Sequence, residues 1–335
     1  MKTKTLRSTV VSVLVFLALT RPLAGGTSDG VLNFGNLPLA SHSPTYTSFD
    51  APGAGTGPNQ GTVSLAINPA GAITGYYIDA SGVNHGFLRT TKGSITTFDP
   101  PGAAGFGTQP YSISPSQTIT GAYGDTNNVI HGFLRSRSGA ISTFDAPGAS
   151  PETVPSDVNP AGTVAGWYYD ASFVAHGFLR APDGTFTTYD APGAGTGTFQ
   201  GTYIGTVDCL NPAGVLAGIS RDANDVFHGY VRAPDGTIAV FDAPGAGTGT
   251  FQGTQPVGIN PAGTIVGQYV DSSGVNHGFL RAADGTITTF DVSGAGTGSG
   301  QGSFPYCNNA VGAIGAITGY YIDSSDVFHG FLRTP

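Results

Sequence analysis

One short phrase, His-Gly-aromatic-aliphatic-Arg, is written six times along this chain, beginning at His85, His131, His176, His228, His277 and His329. The spacings between these histidines are 46, 45, 52, 49 and 52 residues. A period in that range marks a repeat architecture, in which each unit buries its apolar face only against its neighbours. Within the first period four apolar runs, residues 63–67, 73–78, 83–89 and 94–98, are separated by Asn68-Pro69-Ala70-Gly71, Asp79-Ala80-Ser81-Gly82 and Thr91-Lys92-Gly93. Proline presets φ in such turns and glycine supplies positive φ. Asp183-Gly184, Asp235-Gly236 and Asp284-Gly285 read as tight hairpins. Four antiparallel strands in about 49 residues describe one blade of a β-propeller, an all-β fold.

The ends of the repeat array suggest how it closes. The last repeat stops at Phe331-Leu332-Arg333 without a fourth strand, while residues 45–50 match the fourth-strand segment 94–99. The expectation is a six-bladed propeller of four-stranded blades over 44–335, closed by pairing of the N-terminal strand with the C-terminal blade, which removes two open sheet edges. Ahead of it, Lys2, Lys4 and Arg7 precede an apolar run over 10–19 and the small residues Ala24-Gly25-Gly26. That is the form of a secretory signal peptide, placed at 1–26, with 27–43 an extension of unassigned role. No other stretch is long and apolar enough to span a membrane.

Glycine (53) and proline (23) make about 23% of the chain, yet 39% is hydrophobic and evenly spaced, so the composition belongs to many short strands and not to disorder. Without Lys2, Lys4, Arg7 and Arg21, nine basic residues face 21 acidic ones, a balance of about −12 that argues against nucleic acid and anionic lipid as partners. Cys209 and Cys307 lie two repeats apart, too far for a bridge, and read as free thiols.

A second repeated feature surrounds the histidines. An aspartate precedes each by six residues (Asp79, Asp125, Asp170, Asp222, Asp271, Asp323), and another closes each fourth strand (Asp50, Asp99, Asp145, Asp190, Asp242, Asp291). A two-residue turn at Asp183-Gly184 sets Phe178 opposite Tyr189 and Gly177 opposite Asp190, bringing His176 near Asp170 and Asp190. Asp–His–Asp clusters suit metal or acid–base work. Sixfold repetition favours a structural bracket instead, formed by Asp79, His85 and Asp99 in one blade and Asp170, His176 and Asp190 in another. No metal, no cofactor and no catalytic sequence signature is implied.

Departures from the repeat mark the candidate binding residues. Aligned on the Asn-Pro turn, the inner strands carry Leu65, Tyr111, Ser156, Asp208, Val257 and Pro305 at one position. The next holds Ala66, Ser112, Asp157, Cys209, Gly258 and Tyr306. Arg221 stands where other repeats have Ile78, Tyr169, Val270 or Ile322. Tyr111, Asp157, Asp208, Arg221 and Tyr306 are therefore the candidate ligand-binding residues near a central channel. An alternative is that Arg221 pairs with Asp208 or Asp225. The candidate binding face is the one with the links of variable length between blades.

Ile-Asn-Pro-x-Gly, then Ile/Val-x-Gly-x-Tyr, then Val-x-His-Gly-Phe-Leu resembles the HAF-type extracellular repeats of bacteria, over roughly 44–335 and with Gly86 and its equivalents where the family has alanine. The resemblance implies an exported propeller-like protein and carries over no site residues. The reading that follows is a secreted β-propeller, extracellular or periplasmic, that binds or scaffolds an extracellular glycan or protein. The alternative is a propeller enzyme, a polysaccharide lyase or glycoside hydrolase, using Asp157, Asp208 and Arg221. For the hydrolase, the two carboxylates should face each other across an open pocket.

Overall fold

Short runs of β-branched and aromatic residues between Gly, Pro, Asn and Asp turns favour strands. The computed structural model describes residues 47–205, 208–308 and 316–334, and they contain strands and turns with no helix. The proposed signal peptide, the extension at 27–43 and Thr45-Tyr46 lie outside the described residues.

Residues from Ser48 onward form one structural unit. Its first repeat is β1 (Gly61–Ile67), β2 (Ile73–Ile78), β3 (Asn84–Arg89) and β4 (Ile95–Phe98). The second is β5 (Thr108–Ile113), β6 (Ile119–Gly124), β7 (Ile130–Arg135) and β8 (Ile141–Phe144). The third is β9 (Glu152–Val158), β10 (Val164–Tyr169), β11 (Ala175–Arg180) and β12 (Phe186–Tyr189). The fourth is β13 (Gly201–Ile204), β14 (Leu216–Arg221), β15 (Phe227–Arg232) and β16 (Ile238–Phe241). The fifth is β17 (Gly253–Ile259), β18 (Ile265–Val270), β19 (Asn276–Arg281) and β20 (Ile287–Phe290). The sixth is β21 (Gly302–Asn308), β22 (Ile317–Ile322) and β23 (Phe328–Arg333). Strands pair antiparallel in chain order within each repeat. Successive repeats touch through one parallel bridge, such as Ala175↔Gly201 or Phe227↔Gly253.

The repeated turns show why their residues recur. Asn68 accepts from the amides of Ala70 and Ala72 through Oδ1, and its Nδ2 donates 3.0 Å to the Ser114 carbonyl of the next repeat. One side chain thus closes the turn and ties two repeats together. Asp79 accepts from the amides of Ser81 and Val83, which accounts for the aspartate six residues before each histidine.

The hairpin between the third and fourth strands differs from the two-residue turn expected. Ala181 and Thr185 close it, the Gly184 amide donates to the Ala181 carbonyl, and only Gly184 has positive φ (+92°). This is a type I turn with Pro182 at its second position and a glycine bulge, not a type I′ turn. The longer loop moves the register by one residue, so Tyr189 faces Gly177 and Phe178 faces Thr188. The Tyr189 ring then lies across Gly177, where an added Cβ would stand 2.6 Å from it. Phe98, Phe144, Phe241 and Phe290 cover Gly86, Gly132, Gly229 and Gly278 in the same way.

Each of these rings also meets the following repeat. Phe98 packs edge-on to Phe133 at 6.0 Å with Arg135 above it at 4.9 Å. Phe144–Phe178 with Arg180, Tyr189–Tyr230 with Arg232 and Phe241–Phe279 with Arg281 repeat the contact. The core therefore lies between neighbouring sheets, as in the cluster of Ala72 and Leu88 with Ile113, Ile119 and Phe133.

The two flanks of the array are less complete. Phe49 packs on Phe87 at 6.0 Å under Arg89, making the forward half of the ring contact. Residues 48–50 are not strand, and β23 pairs only with β22 among the described residues, so the expected pairing of the first strand with the last is not present there. No ring among the described residues covers Gly330; Ile67 and Leu332 are 66% and 70% exposed, whereas Ile113 and Leu88 at the equivalent positions are each 6% exposed.

Gly177→Ala forces Tyr189 off the strand and is expected to cost about 1–3 kcal/mol, seen as a lowered midpoint in thermal denaturation followed by circular dichroism.

Candidate functional site

Every repeat has two ends. One carries the links between repeats and the turn from second to third strand; the other carries the Asn-Pro turn and the glycine-bulge hairpin. The candidate residues divide between these ends.

Asp157 lies near the Asn-Pro end and is buried. Its Oδ1 accepts 2.7 Å bonds from the Ser112 hydroxyl and the Val158 amide, and its Oδ2 accepts from the Leu210 amide at 3.0 Å. It thus joins the second, third and fourth repeats. Burial pushes its carboxyl up to about 6, with the nearby Asp208 charge adding to the effect. Asp208 is not in an inner strand: β13 ends at Ile204, and Asp208 is exposed in a bend at φ +47°. Residues inserted before Cys209 displace it, so length variation is not confined to the links. Cys209 is a free, buried thiol whose pKa burial raises. The side chain of Cys307 lies outside the described residues.

Arg221 is at the opposite end. It ends β14, five residues from Leu216, which bridges Leu210; at about 3.3 Å per residue this is about 16 Å along the strand from the Asp208 segment. Arg221 therefore does not share a site with Asp157 and Asp208; those two are close enough for their charges to interact, but Asp157 is buried with both carboxylate oxygens bonded and does not face an open pocket. Arg221 pairs with Asp225 at 3.1 Å, donates to the Phe199 carbonyl at 2.8 Å and lies over the Phe251 ring at 4.7 Å. Tyr306 falls at the β-bulge of β21, in register with the bulge residue Tyr111 of β5 and not with Ser112 as the turn alignment placed it. The longer segment after β21 upsets an alignment anchored on the turn. Tyr306 is 41% exposed, and the Tyr111 hydroxyl donates to Gln109 Oε1 at 3.0 Å.

Around Arg221 the link end of the third to fifth repeats carries an aromatic ridge. Phe173, Phe199 and Phe251 hold φ of +60°, +63° and +63°. Phe173 occupies a turn position that is Gly82, Asn128, Asp225, Gly274 or Asp326 elsewhere; Phe199 and Phe251 stand where Asn59 and Gly300 do. Large side chains rarely adopt this conformation, at a cost of order 1–3 kcal/mol each. Phe173 and Phe251 remain 38% and 56% exposed. Beneath them Trp167, Tyr169 and Tyr203 pack edge to face, with Phe199 5.6 Å from Tyr169.

Glu152 opens β9 in register with Tyr169, where the inner strands of the other repeats begin with Gly61, Thr108 after Gly107, Gly201, Gly253 and Gly302. It is the only glutamate in the chain, a signal present in the composition that the alignment on the Asn-Pro turn passed over. It is 7% exposed, its Oε1 has no hydrogen-bond partner, and burial pushes its carboxyl up to about 7.

The histidine brackets form as pairs more than triads. His85 and His176 bond through Nδ1 to Asp99 and Asp190 at 2.7 and 2.8 Å, while Asp79 and Asp170 stand 3.6 and 3.7 Å from Nε2. His329, without a fourth-strand partner among the described residues, turns to Asp323 at 3.2 Å. His85 and His176 stack on Tyr77 and Tyr168. No set of three or more His, Cys, Asp or Glu among the described residues is placed to hold a metal ion.

An acid held above its unfolded value binds its proton more tightly in the fold. Stability from Glu152 is thus full below pH 4.5 and falls as pH rises towards 7. Glu152→Gln removes this loss, and urea unfolding at pH 8 should show the variant more stable than the parent by on the order of 2 kcal/mol, with no difference at pH 4.

No family model matches the sequence, and no curated protein matches it. Among solved structures, virginiamycin B lyase from Staphylococcus aureus overlays with a TM-score of 0.51 at 14% identity, covering 80% of this chain and 83% of that one. TolB from Acinetobacter baumannii (TM-score 0.45, 16% identity, 68% and 53% covered) and the Aleuria aurantia lectin (0.42, 12%, 81% and 95%) overlay more loosely and carry no argument. The chain is thus similar in fold to a propeller-type protein, and no helix among the described residues is long and apolar enough to cross a membrane.

Proposed function

We propose that this chain is an exported binding propeller of the HAF-type repeat class, and that its ligand is an extracellular glycan held on the aromatic ridge of the third to fifth repeats. The observation that carries this reading is the ridge itself: Phe173, Phe199 and Phe251 kept at positive φ at turn positions where other repeats use Gly, Asn or Asp. Phe173 and Phe251 are both strained and exposed, so they contribute little to a core and their value lies in what they present to a partner, with Phe199 packed beside Phe173. A sugar ring has an apolar face and a polar rim. Ring faces beside Arg221, Asp225 and Gln200, which are themselves linked by 3.1 and 2.8 Å contacts, match both. Arg221 is too far from Asp208 to serve a lyase with it, and Asp157, buried with both carboxylate oxygens bonded, faces no open pocket in which a hydrolase pair could act.

The same reading includes closure into six blades. Among the described residues, Phe49 lacks a glycine to cover and Gly330 lacks a ring; Asp50 lacks a histidine and His329 lacks a fourth-strand aspartate. Pairing 45–50 with β23 satisfies all four and shields Ile67 and Leu332. Gly330→Ala is then expected to destabilise by about as much as Gly177→Ala, roughly 1–3 kcal/mol. In an open array, where an added Cβ meets nothing within 4 Å, it would be neutral in thermal denaturation.

A glycan array probed with the protein lacking residues 1–26 tests the ligand class. Phe173→Gly should lower binding to the glycans it selects by about ten-fold while thermal stability holds or rises by about 1 kcal/mol. A drop in stability with binding intact would assign Phe173 to packing and remove the ridge from the argument.

A further inference from the structure

The ridge is built from one link used twice. Residues 190–202 and 242–254 are identical in sequence, and they set Phe199 and Phe251 at equivalent positions, each at φ +63°. The links at 50–62 and 291–303 have Asn59 and Gly300 there instead. Each phenylalanine is fixed through its own amide, which donates to the second turn of the repeat it leaves. Phe199 donates to the Phe173 carbonyl at 2.7 Å, and Phe251 to the Asp225 carbonyl at 2.8 Å. The Phe199 ring then packs 5.6 Å from Phe173, and the Phe251 ring 6.4 Å from Phe227. Arg221 joins the two platforms, donating to the Phe199 carbonyl at 2.8 Å while its guanidinium lies 4.7 Å from the centre of the Phe251 ring. The result is one strip, with Phe173 exposed at one end and Phe251 at the other.

Charge along this end is one-sided. The aspartates that close the fourth strands, and those of the second-to-third turns, all stand here. The arginines that end the third strands stand at the other end, where Arg89, Arg180 and Arg281 lie beside the hairpin glycines Gly93, Gly184 and Gly285. Lys92 and Arg137 belong to those hairpins as well. Among the described lysines and arginines, Arg221 alone is left at the link end. Its terminal nitrogens are engaged by the Phe199 carbonyl and Asp225, and its Nε is buried. A carboxylate or sulfate arriving here would meet acids and no free cation.

We propose that the strip takes a linear, uncharged glycan lengthwise, one sugar against Phe199 and Phe173 and another of the same chain against Phe251, an inference that rests on the glycan reading of the ridge. Two identical platforms in successive repeats match a ligand that repeats its own unit. A single terminal sugar would use one platform and leave the second strained phenylalanine without a role. Once one sugar is held, the chain delivers the next to its platform at high effective concentration, so affinity rises with chain length until both are spanned. The Arg221–Asp225 pair between the platforms carries no net charge and presents polar edges suited to hydroxyl groups.

Trp167, the only tryptophan, lies 5.0 and 5.3 Å from Tyr169 and Tyr203 beneath Phe199, so its fluorescence reports occupation of the strip. The protein lacking residues 1–26 is titrated with the disaccharides and hexasaccharides of β-1,4-linked glucose, mannose and N-acetylglucosamine, and with a galacturonate hexamer. At least one neutral hexasaccharide should bind about ten-fold or more tighter than its disaccharide, and tighter than the galacturonate hexamer. Calorimetry should give one hexasaccharide per protein. Phe251→Gly should bring the hexasaccharide down to the affinity of the disaccharide, which still binds. Phe251→Asn, the residue type that Asn59 brings to this position, should do the same, with circular dichroism showing the fold retained in both. Equal affinity for disaccharide and hexasaccharide, a preference for the galacturonate hexamer, or a length dependence that survives both Phe251 variants would overturn this inference while leaving the glycan reading standing. No binding of any hexasaccharide would overturn both.

Discussion

The repeat holds together through one aromatic ring per unit, the residue that ends the fourth strand. Tyr189 lies on Gly177 of its own sheet and against Tyr230 of the next, with Arg232 over its face. A single side chain thus sets hairpin register and sheet-to-sheet spacing together. Edge-on ring pairs and cation–π contacts contribute about 1 kcal/mol each. The motif glycine follows from the same contact, because any Cβ there would occupy the volume of the ring. The guanidinium at the end of the histidine strand has its role here too, capping the ring from the neighbouring sheet.

Because adjacent repeats meet through the same parts, stability is a sum of near-identical interfaces. That leaves individual repeats free to change at their ends. The third to fifth repeats use this freedom: turn positions that are Gly, Asn or Asp elsewhere become phenylalanine, Ile78 becomes Arg221 in the fourth repeat, and Glu152 enters the inner strand of the third. All of these changes lie at the link end. At the Asn-Pro end the singular charge of Asp157 is absorbed into a three-way tie among repeats, accepting from Ser112, Val158 and Leu210. Two departures from symmetry that look alike in an alignment therefore have opposite physical meanings.

The repeat period, the strand order within each unit and the turn residues were legible in the sequence, since hydrophobic runs and turn chemistry act over a few residues. Of the two partners the sequence offered for Arg221 (Asp208 and Asp225), the structure selects the one four positions away. The register of the Asp183-Gly184 hairpin was not legible, because Asp-Gly serves both a two-residue turn and a glycine bulge, and Pro182 selects the second. The place of Asp208 was lost for a different reason: the residues inserted after Ile204 shift it out of the strand that the alignment assumed.

By itself, then, the amino-acid order determined an all-β array of repeated four-stranded units and the histidine–aspartate brackets, because these depend on local propensity and on identical residues recurring at a fixed period. Only the tertiary structure decided which unique residues meet. Tyr169 and Tyr203 come from adjacent repeats to set their hydroxyls 3.3 Å apart, Ser112 and Leu210 reach Asp157 from the repeats on either side, and Arg221 lies at the other end from Asp157. Such meetings depend on how one sheet is set against the next, and that spacing is imposed by rings packing across glycine rather than by any stretch of chain read alone.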